Sequence, residues 1–264
     1  MTTRTGQPIR LGYIDLSFHL ASAGVVQEIL ERHGHQVELR AAPHEAMFEL
    51  LHAKEVDIVS SAWLPASHGG YLAPSLDAVE KLTVLYEPYC LWGVPDYVPA
   101  DVLASVEDLK KPEVLDKMDR VIDGINPGAG ISRFSAAMID AYGLRDVGYR
   151  FEPGSEATAF AKFERAVADR RWLVLPLWSP QYLHHDYRIR SLVEPKGMLG
   201  GQDEATLVAR KEVLPGIAPA ALEELRGLYL GNDVVTDLEH AIRVEGLSAQ
   251  DAARRWLATQ GATA

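Results

Sequence analysis

The chain has one cysteine, Cys90, among 264 residues. A lone thiol excludes an intrachain disulfide and any cysteine-built metal site. Basic residues are in deficit, with 26 Lys and Arg against 37 Asp and Glu and a formal charge of −11. Such a balance argues against nucleic acid or an anionic membrane as the main partner, and it suits a cationic or zwitterionic small ligand. No apolar run approaches the length of a membrane span. The opening residues Met1 to Pro8 carry no apolar core of the kind a secretory leader needs. The expectation is therefore either a cytoplasmic protein or one whose export segment lies outside these residues. Internal repeats and low-complexity segments are also missing.

What is present is an apolar content of 47%, enough for one large or two medium cores. Ile9–Ile14 reads as a strand, Ala21–His33 as a helix with Gly34 behind it, Gln36–Leu39 as a strand, Glu45–Ala53 as a helix and Val56–Ser60 as a third strand. This β-α-β-α-β order favours a parallel sheet with helices on its faces. Leu82–Val94 reads as a long extended crossover. A second β/α set follows: strand Arg120–Ile125, helix Ser132–Tyr142, strand Tyr149–Phe151, helix Ser155–Asp169 and strand Trp172–Leu177. A return strand, Ala205–Ala209, and closing helices complete the pattern, the last helix opening on Ser248 and Asp251 at capping-box spacing. The expected fold class is α/β with two lobes, the first built from both ends of the chain, and a cleft between such lobes is a natural ligand site.

Two stretches share one grammar. Asp57-Ile58-Val59-Ser60-Ser61-Ala62-Trp63-Leu64-Pro65 and Leu175-Pro176-Leu177-Trp178-Ser179-Pro180 each run an apolar strand into a tryptophan and then a proline. An indole at a strand end offers a cation that cannot donate hydrogen bonds its best side-chain surface. A buried structural tryptophan under a turn is the competing reading of either one. Gly124-Ile125-Asn126-Pro127-Gly128-Ala129-Gly130-Ile131-Ser132 joins a strand to a helix and offers backbone N–H groups to an anion, or simply a tight packing turn. It matches neither a Walker loop nor a dinucleotide fingerprint. Asp15-Leu16-Ser17-Phe18-His19 forms the first strand-to-helix turn, with Asp15 as cap or anchor and Phe18 as cage wall or core. His44-Glu45 lacks the second histidine of a zinc-protease motif, and His184-His185-Asp186 reads as solvated. Ser17, Ser60, Ser61 and Ser67 have no nucleophile-elbow context. No nucleophile, base and orienter stand in readable order, so the expectation is no enzyme, no catalytic residue, no cofactor and no metal.

Leu11-Gly12-Tyr13, Val56-Asp57-Ile58 through Ala62-Trp63-Leu64-Pro65 and His68, Asn126-Pro127-Gly128-Ala129-Gly130-Ile131, Trp178-Ser179-Pro180 and Glu194-Pro195-Lys196-Gly197 stand in an order that resembles the substrate-binding proteins of glycine betaine ABC transporters. The resemblance implies the two-lobe type II periplasmic binding protein fold, each lobe a mostly parallel sheet flanked by helices, with hinge crossovers between the lobes. The crossover at Leu82–Val94 and the return from about Ser191 put residues 1–92 and 191–264 in the first lobe and 93–190 in the second. The resemblance further implies capture of a quaternary-ammonium or betaine-type solute, without chemistry, in an inter-lobe aromatic cleft. Permease subunits of an ABC importer are the implied partners, the location periplasmic or extracellular, and the chain a monomer. A cytoplasmic sensor or scavenger with the same fold and ligand class is the alternative. Carried over by position, Trp63 and Trp178 take the aromatic role, Asp15 and Phe18 lie at the ligand-side turn, and His68, Gly128, Ala129, Gln181 and Tyr182 complete the implied ligand set. The chain departs from the pattern at Gln181, where many members have histidine, and at Leu16, where tryptophan is common. A third cage tryptophan near Gly130 is missing, and Phe18, Tyr182 and Trp92 are the candidate replacements.

Overall fold

A computed structural model describes residues 7–260. In chain order the first elements are β1 (Ile9–Ile14), α1 (Ser17–Arg32), β2 (Val37–Ala42), α2 (His44–His52), β3 (Ile58–Leu64), α3 (Gly69–Leu72), β4 (Val79–Tyr86) and β5 (Tyr89–Pro95). Then come α4 (Pro112–Leu115), β6 (Val121–Asp123), α5 (Gly130–Ala141), β7 (Arg150–Glu152), α6 (Glu156–Ala168), β8 (Leu175–Ser179), α7 (Leu183–Asp186) and β9 (Ile189–Ser191). The chain closes with β10 (Glu204–Arg210), α8 (Pro219–Gly227), α9 (Gly231–Arg243) and α10 (Ala249–Gln260). Two compact units result: Met1–Pro88 with Pro180–Tyr182 and Asp203–Ala264, and Tyr89–Ser179 with Leu183–Gln202.

The first unit holds a five-stranded sheet in the order β2-β1-β3-β10-β4. β1 runs parallel to β2 and β3, while β10 is antiparallel to both β3 and β4. Every residue of β3 is buried, as expected for a central strand covered on both faces. Ile14, Met47, Phe48, Leu51, Val56, Val59, Leu64 and Val208 form one core on this sheet. Each such side chain contributes about 1.5–3 kcal/mol on burial. A Cβ at Gly12 would lie 2.5 Å from the Met47 sulfur and 2.7 Å from a Val56 methyl, so glycine lets α2 press onto β1. At the opposite end of the strands, the Asp57 carboxylate accepts the backbone N–H of Arg10 at 2.9 Å and its guanidinium at 2.6 and 2.9 Å. Burial pushes that carboxyl up, but the Arg10 hydrogen bonds and the charge of Arg210 outweigh it and hold Asp57 below the usual range.

The second unit has an antiparallel sheet, β8-β5-β9, and a parallel pair, β6-β7. Pro176 sits in β8, an edge strand, where a missing N–H is tolerated. Helix α6 begins at a capping box in which Ser155 accepts the N–H of Thr158 at 3.2 Å. The Trp92 indole N–H donates to Ser135 of α5 at 2.8 Å, a fully buried bond that ties sheet to helix.

Several expectations are adjusted. Parallel pairing holds for β1, β2 and β3 and for β6 with β7; β10 and the whole β8-β5-β9 sheet are antiparallel. The long extended stretch is two strands, because Glu87 and Pro88 interrupt it and β4 and β5 join different sheets. The division after residue 92 moves to Pro88, since β5 pairs wholly with β8 and β9. The second division moves from residue 190 to Gln202, since Leu192 and Val193 still hydrogen-bond to Trp92 and Ala104. Helix α1 starts at Ser17, four residues early, and leaves a turn of only Asp15 and Leu16.

Candidate functional site: a wired tryptophan in one unit, a packed one in the other

β3 carries a β-bulge. Thr206 pairs with Ala62 and Val208 with Val59, so Ser60 and Ser61 stand opposite the single residue Leu207. Ser61 is left-handed, with φ 55°. Among the described residues two other non-glycine residues share that region, Lys54 and Arg170, and both lie just past helix ends, where such a conformation is common. Ser61 has no such reason, so its strain belongs to the bulge. Beyond it the strand resumes for Ala62, Trp63 and Leu64, and Trp63 is the penultimate strand residue rather than a residue past the strand. The Leu64–Pro65 peptide is cis. His68 folds back, its Nδ1 accepting the Trp63 N–H at 2.9 Å and its own N–H donating to the Trp63 carbonyl at 2.8 Å. The proton of that imidazole is therefore on Nε2. Asp203 accepts the N–H groups of Ala66 and Ser67 at 2.7 and 3.0 Å, which fixes the rest of the loop.

The Trp63 side chain is 6% exposed. Its ring lies 5.3 Å from Phe18, 5.7 Å from His19, 6.3 Å from His68 and 6.4 Å, edge-on, from Tyr86. The indole N–H donates to the Tyr86 hydroxyl at 3.1 Å. Ser61 and Ser22 stand beside that hydroxyl, and burial raises its pKa, so it stays a neutral phenol. Ser61 Oγ lies 2.5 Å from His19 Nδ1, with Ser22 bridging at 3.3 Å. Burial and the nearby His44 hold His19 well below an ordinary imidazole, so it is neutral. The cluster extends through His68 to His44 and Phe48, each 5.4 Å away. Beside it sits Glu239 of α9, fully buried. Its carboxylate accepts the Ser17 hydroxyl at 2.5 Å and the Tyr182 N–H at 2.6 Å. The Arg243 guanidinium covers the Tyr182 ring at 4.7 Å. This first unit thus presents aromatic faces, neutral hydrogen-bonding groups and the buried Glu239 carboxyl, and the aromatic faces suit a cation.

The second unit treats its tryptophan differently. Trp178 is 1% exposed and lies in a regular strand opposite Cys90, with Phe160 at 5.8 Å. The Trp178 carbonyl accepts from His184 Nε2 at 3.0 Å. His184 is therefore half-buried and bonded rather than solvated, and desolvation lowers its pKa. In the Gly-rich loop the Gly128 N–H donates to the Asn126 side chain at 2.8 Å and the Ala129 N–H to the Asn126 carbonyl at 3.0 Å. Both amides are engaged inside the loop, and the first turn of α5 holds the N–H groups that helix geometry leaves over. A concavity lined by Lys117, Asp119, Lys162, Arg171 and Trp172 also lies in this unit. Its three cationic side chains give it the wrong sign for a positively charged ligand.

The structure therefore gathers Trp63, Phe18 and His68 into one cluster and puts Tyr182 beside it through Glu239. Gln181 is fully buried in the same unit. Asp15 is exposed, its N–H on the Ala42 carbonyl, and it makes no side-chain cap for α1. Of the candidate third walls, Phe18 touches Trp63, and Trp92 is committed to Ser135. Sequence reasoning passed over Tyr86, Ser61, His19 and Glu239 as site components. The adjacent Ser60-Ser61 pair inside an apolar strand was the available signal.

The fold is that of the type II periplasmic binding proteins. Lactococcal OpuAC, solved closed around glycine betaine, superimposes with a TM-score of 0.84 at 23% identity, covering 97% of this chain and 96% of that one. A choline-binding protein of an ABC transporter, in complex with choline, gives 0.82 at 18% identity over 97% and 89%. Residues 7–259 match the substrate-binding domain of ABC-type glycine betaine transport systems, and the chain belongs to that family. Its members bind solutes and are not catalysts. The glycine betaine/carnitine transport binding protein GbuC of Listeria monocytogenes is 23% identical over 147 residues, 56% of this chain. That match spans about half, 48%, of the curated relative's length.

Proposed function

We propose that this chain captures a small solute with a methylated ammonium group, of the glycine betaine, choline or carnitine kind, and hands it unchanged to the permease of an ABC importer. The observation that carries the reading is the Trp63 cluster, an indole flanked by Phe18, His19 and Tyr86 with a buried carboxylate nearby. Trp63 supplies one aromatic face and Trp178 a second, with Phe18 and Tyr182 as further walls. His68, Gln181 and Asp15 complete the ligand set by family position, with Gly128 and Ala129 contributing backbone surface rather than free N–H groups. The names of OpuAC, GbuC and the choline-binding protein support the ligand class. A cation on a desolvated aromatic face gains about 2 kcal/mol or more. The protein acts as a monomer outside the cytoplasmic membrane, with no nucleic acid partner.

Calorimetry with glycine betaine, choline, carnitine and proline betaine tests the reading. At least one is expected to bind and to raise the melting temperature, because a ligand of the native state stabilises it. Silence across the panel, or full affinity in both Trp63→Ala and Trp178→Ala, overturns it. Cell fractionation tests the location, and recovery in the cytosol alone contradicts it.

A further inference from the structure

We propose that Ser61 and Tyr86, backed by His19, are positioning residues that set the plane of the Trp63 indole for the ligand, and that the bulge in β3 exists to bring them together. The inference rests on the reading of Trp63 as a ligand contact. In a regular strand, side chains alternate between faces. The extra residue at Ser60–Ser61 breaks that alternation just before Ser61, so the hydroxyls of Ser60 and Ser61 both reach Ser22, at 3.2 and 3.3 Å, and the left-handed Ser61 sets its hydroxyl on His19 Nδ1, the ring that Trp63 also packs against.

The wiring is directional. The Trp63 indole N–H donates to Tyr86 Oη, so the phenol proton is free to point elsewhere. Ser61 stands beside that phenol and hydrogen-bonds His19 Nδ1 at 2.5 Å. Ser22 adds a bond to Ser61 Oγ at 3.3 Å and one to the His19 carbonyl at 3.0 Å, which holds the serine rotamer. An indole otherwise held only by ring contacts can rock about its χ2 axis; one bond at its Nε1 edge stops that. Ring orientation matters because a cation is drawn to the face and repelled by the edge. A non-glycine residue in left-handed backbone without a helix end to explain it is the kind of strain that persists where the surroundings over-determine it.

A double-mutant cycle separates this from ordinary packing, with glycine betaine and choline as probes. Tyr86→Phe is expected to lower affinity about 5-fold in the Trp63 protein, the scale of one neutral hydrogen bond. In a Trp63→Phe background, which has no N–H to orient, the same change is expected to leave affinity unaltered. Ser61→Gly keeps the left-handed backbone without strain and removes the CH2OH side chain, so it folds and is expected to weaken binding in the same direction, again only when residue 63 is Trp. A purely structural role shifts affinity equally in both backgrounds, and that result overturns the inference. So does full affinity of Tyr86→Phe and Ser61→Gly while Trp63→Ala fails to bind. If Trp63→Ala itself binds normally, the ligand reading of Trp63 has failed first and takes this inference with it.

Discussion

The two strand-borne tryptophans share a sequence grammar and differ in what holds them. Trp63 is wired: its N–H is on Tyr86, its backbone on His68, and its strand is bulged at Ser61. Trp178 is packed: its strand is regular, its register with β5 unbroken and its ring neighbour Phe160, although its carbonyl, like the backbone of Trp63, takes a histidine, His184. The first arrangement specifies orientation through polar bonds in a buried setting, where each unmade bond is costly. The second specifies position through volume. The lesson is that a motif of strand, tryptophan and proline announces an indole but not the means by which it is aimed.

Removing either ring has the largest expected effect. Trp63→Ala and Trp178→Ala are each expected to weaken binding about 30-fold or more, if aromatic contact with a cation is worth ~2 kcal/mol. Calorimetry reads the loss, and denaturant melts should show a stability cost of about 3–5 kcal/mol in each. Next is Glu239→Leu. It leaves the Ser17 hydroxyl and the Tyr182 N–H without their acceptor, and about 1–3 kcal/mol for each stranded donor is the expected loss in a urea titration. Glu239→Gln keeps an acceptor and should cost less.

Acid sharpens the same contrast. Folded His19 stays neutral where an unfolded imidazole, near 6.5, already takes a proton, so acid favours the unfolded chain. Stability is therefore fully present above about pH 6.5 and declines as pH falls from there toward the depressed folded value. His184 contributes with the same sign from the second unit. His19→Asn should flatten most of the slope, followed as melting temperature between pH 8 and 5. The smallest effect is expected from Ser155→Ala, about 1 kcal/mol from one lost helix cap. It should leave ligand affinity untouched, since the cap serves α6 alone.

Much of the fold was legible because apolar period survives burial. β1 matched its expected bounds, and α2, α5, α6, β7 and β10 were found within a few residues because their apolar spacing and their Gly or Ser boundary residues agree. The site was legible in part. Trp63 and Phe18 were named and do meet, whereas Gly128 and Ala129 were offered as donors although the Asn126-Pro127-Gly128 turn already consumes their N–H groups. The bulge left only the faint mark of two adjacent serines, Ser60 and Ser61, in an apolar strand, and no glycine marks the left-handed position. Glu239 was hidden in an amphipathic helix, where one more acidic residue reads as solvated until tertiary packing buries it. The central place of β10 was equally unreadable, because strand order depends on contacts far apart in sequence.

That place of β10 has a consequence for biogenesis. The strand made last completes the middle of a sheet whose other members are made first, between β3 and β4. A nascent chain that has reached Gln202 already contains every residue of the second unit, while β3 and β4 still present open hydrogen-bonding edges. Synthesis thus passes through a stage with one finished half and one sticky half, the stage at which a chaperone would find its substrate. Stop codons placed before residue 204 should yield insoluble chains, whereas truncation inside α10 leaves the sheet intact.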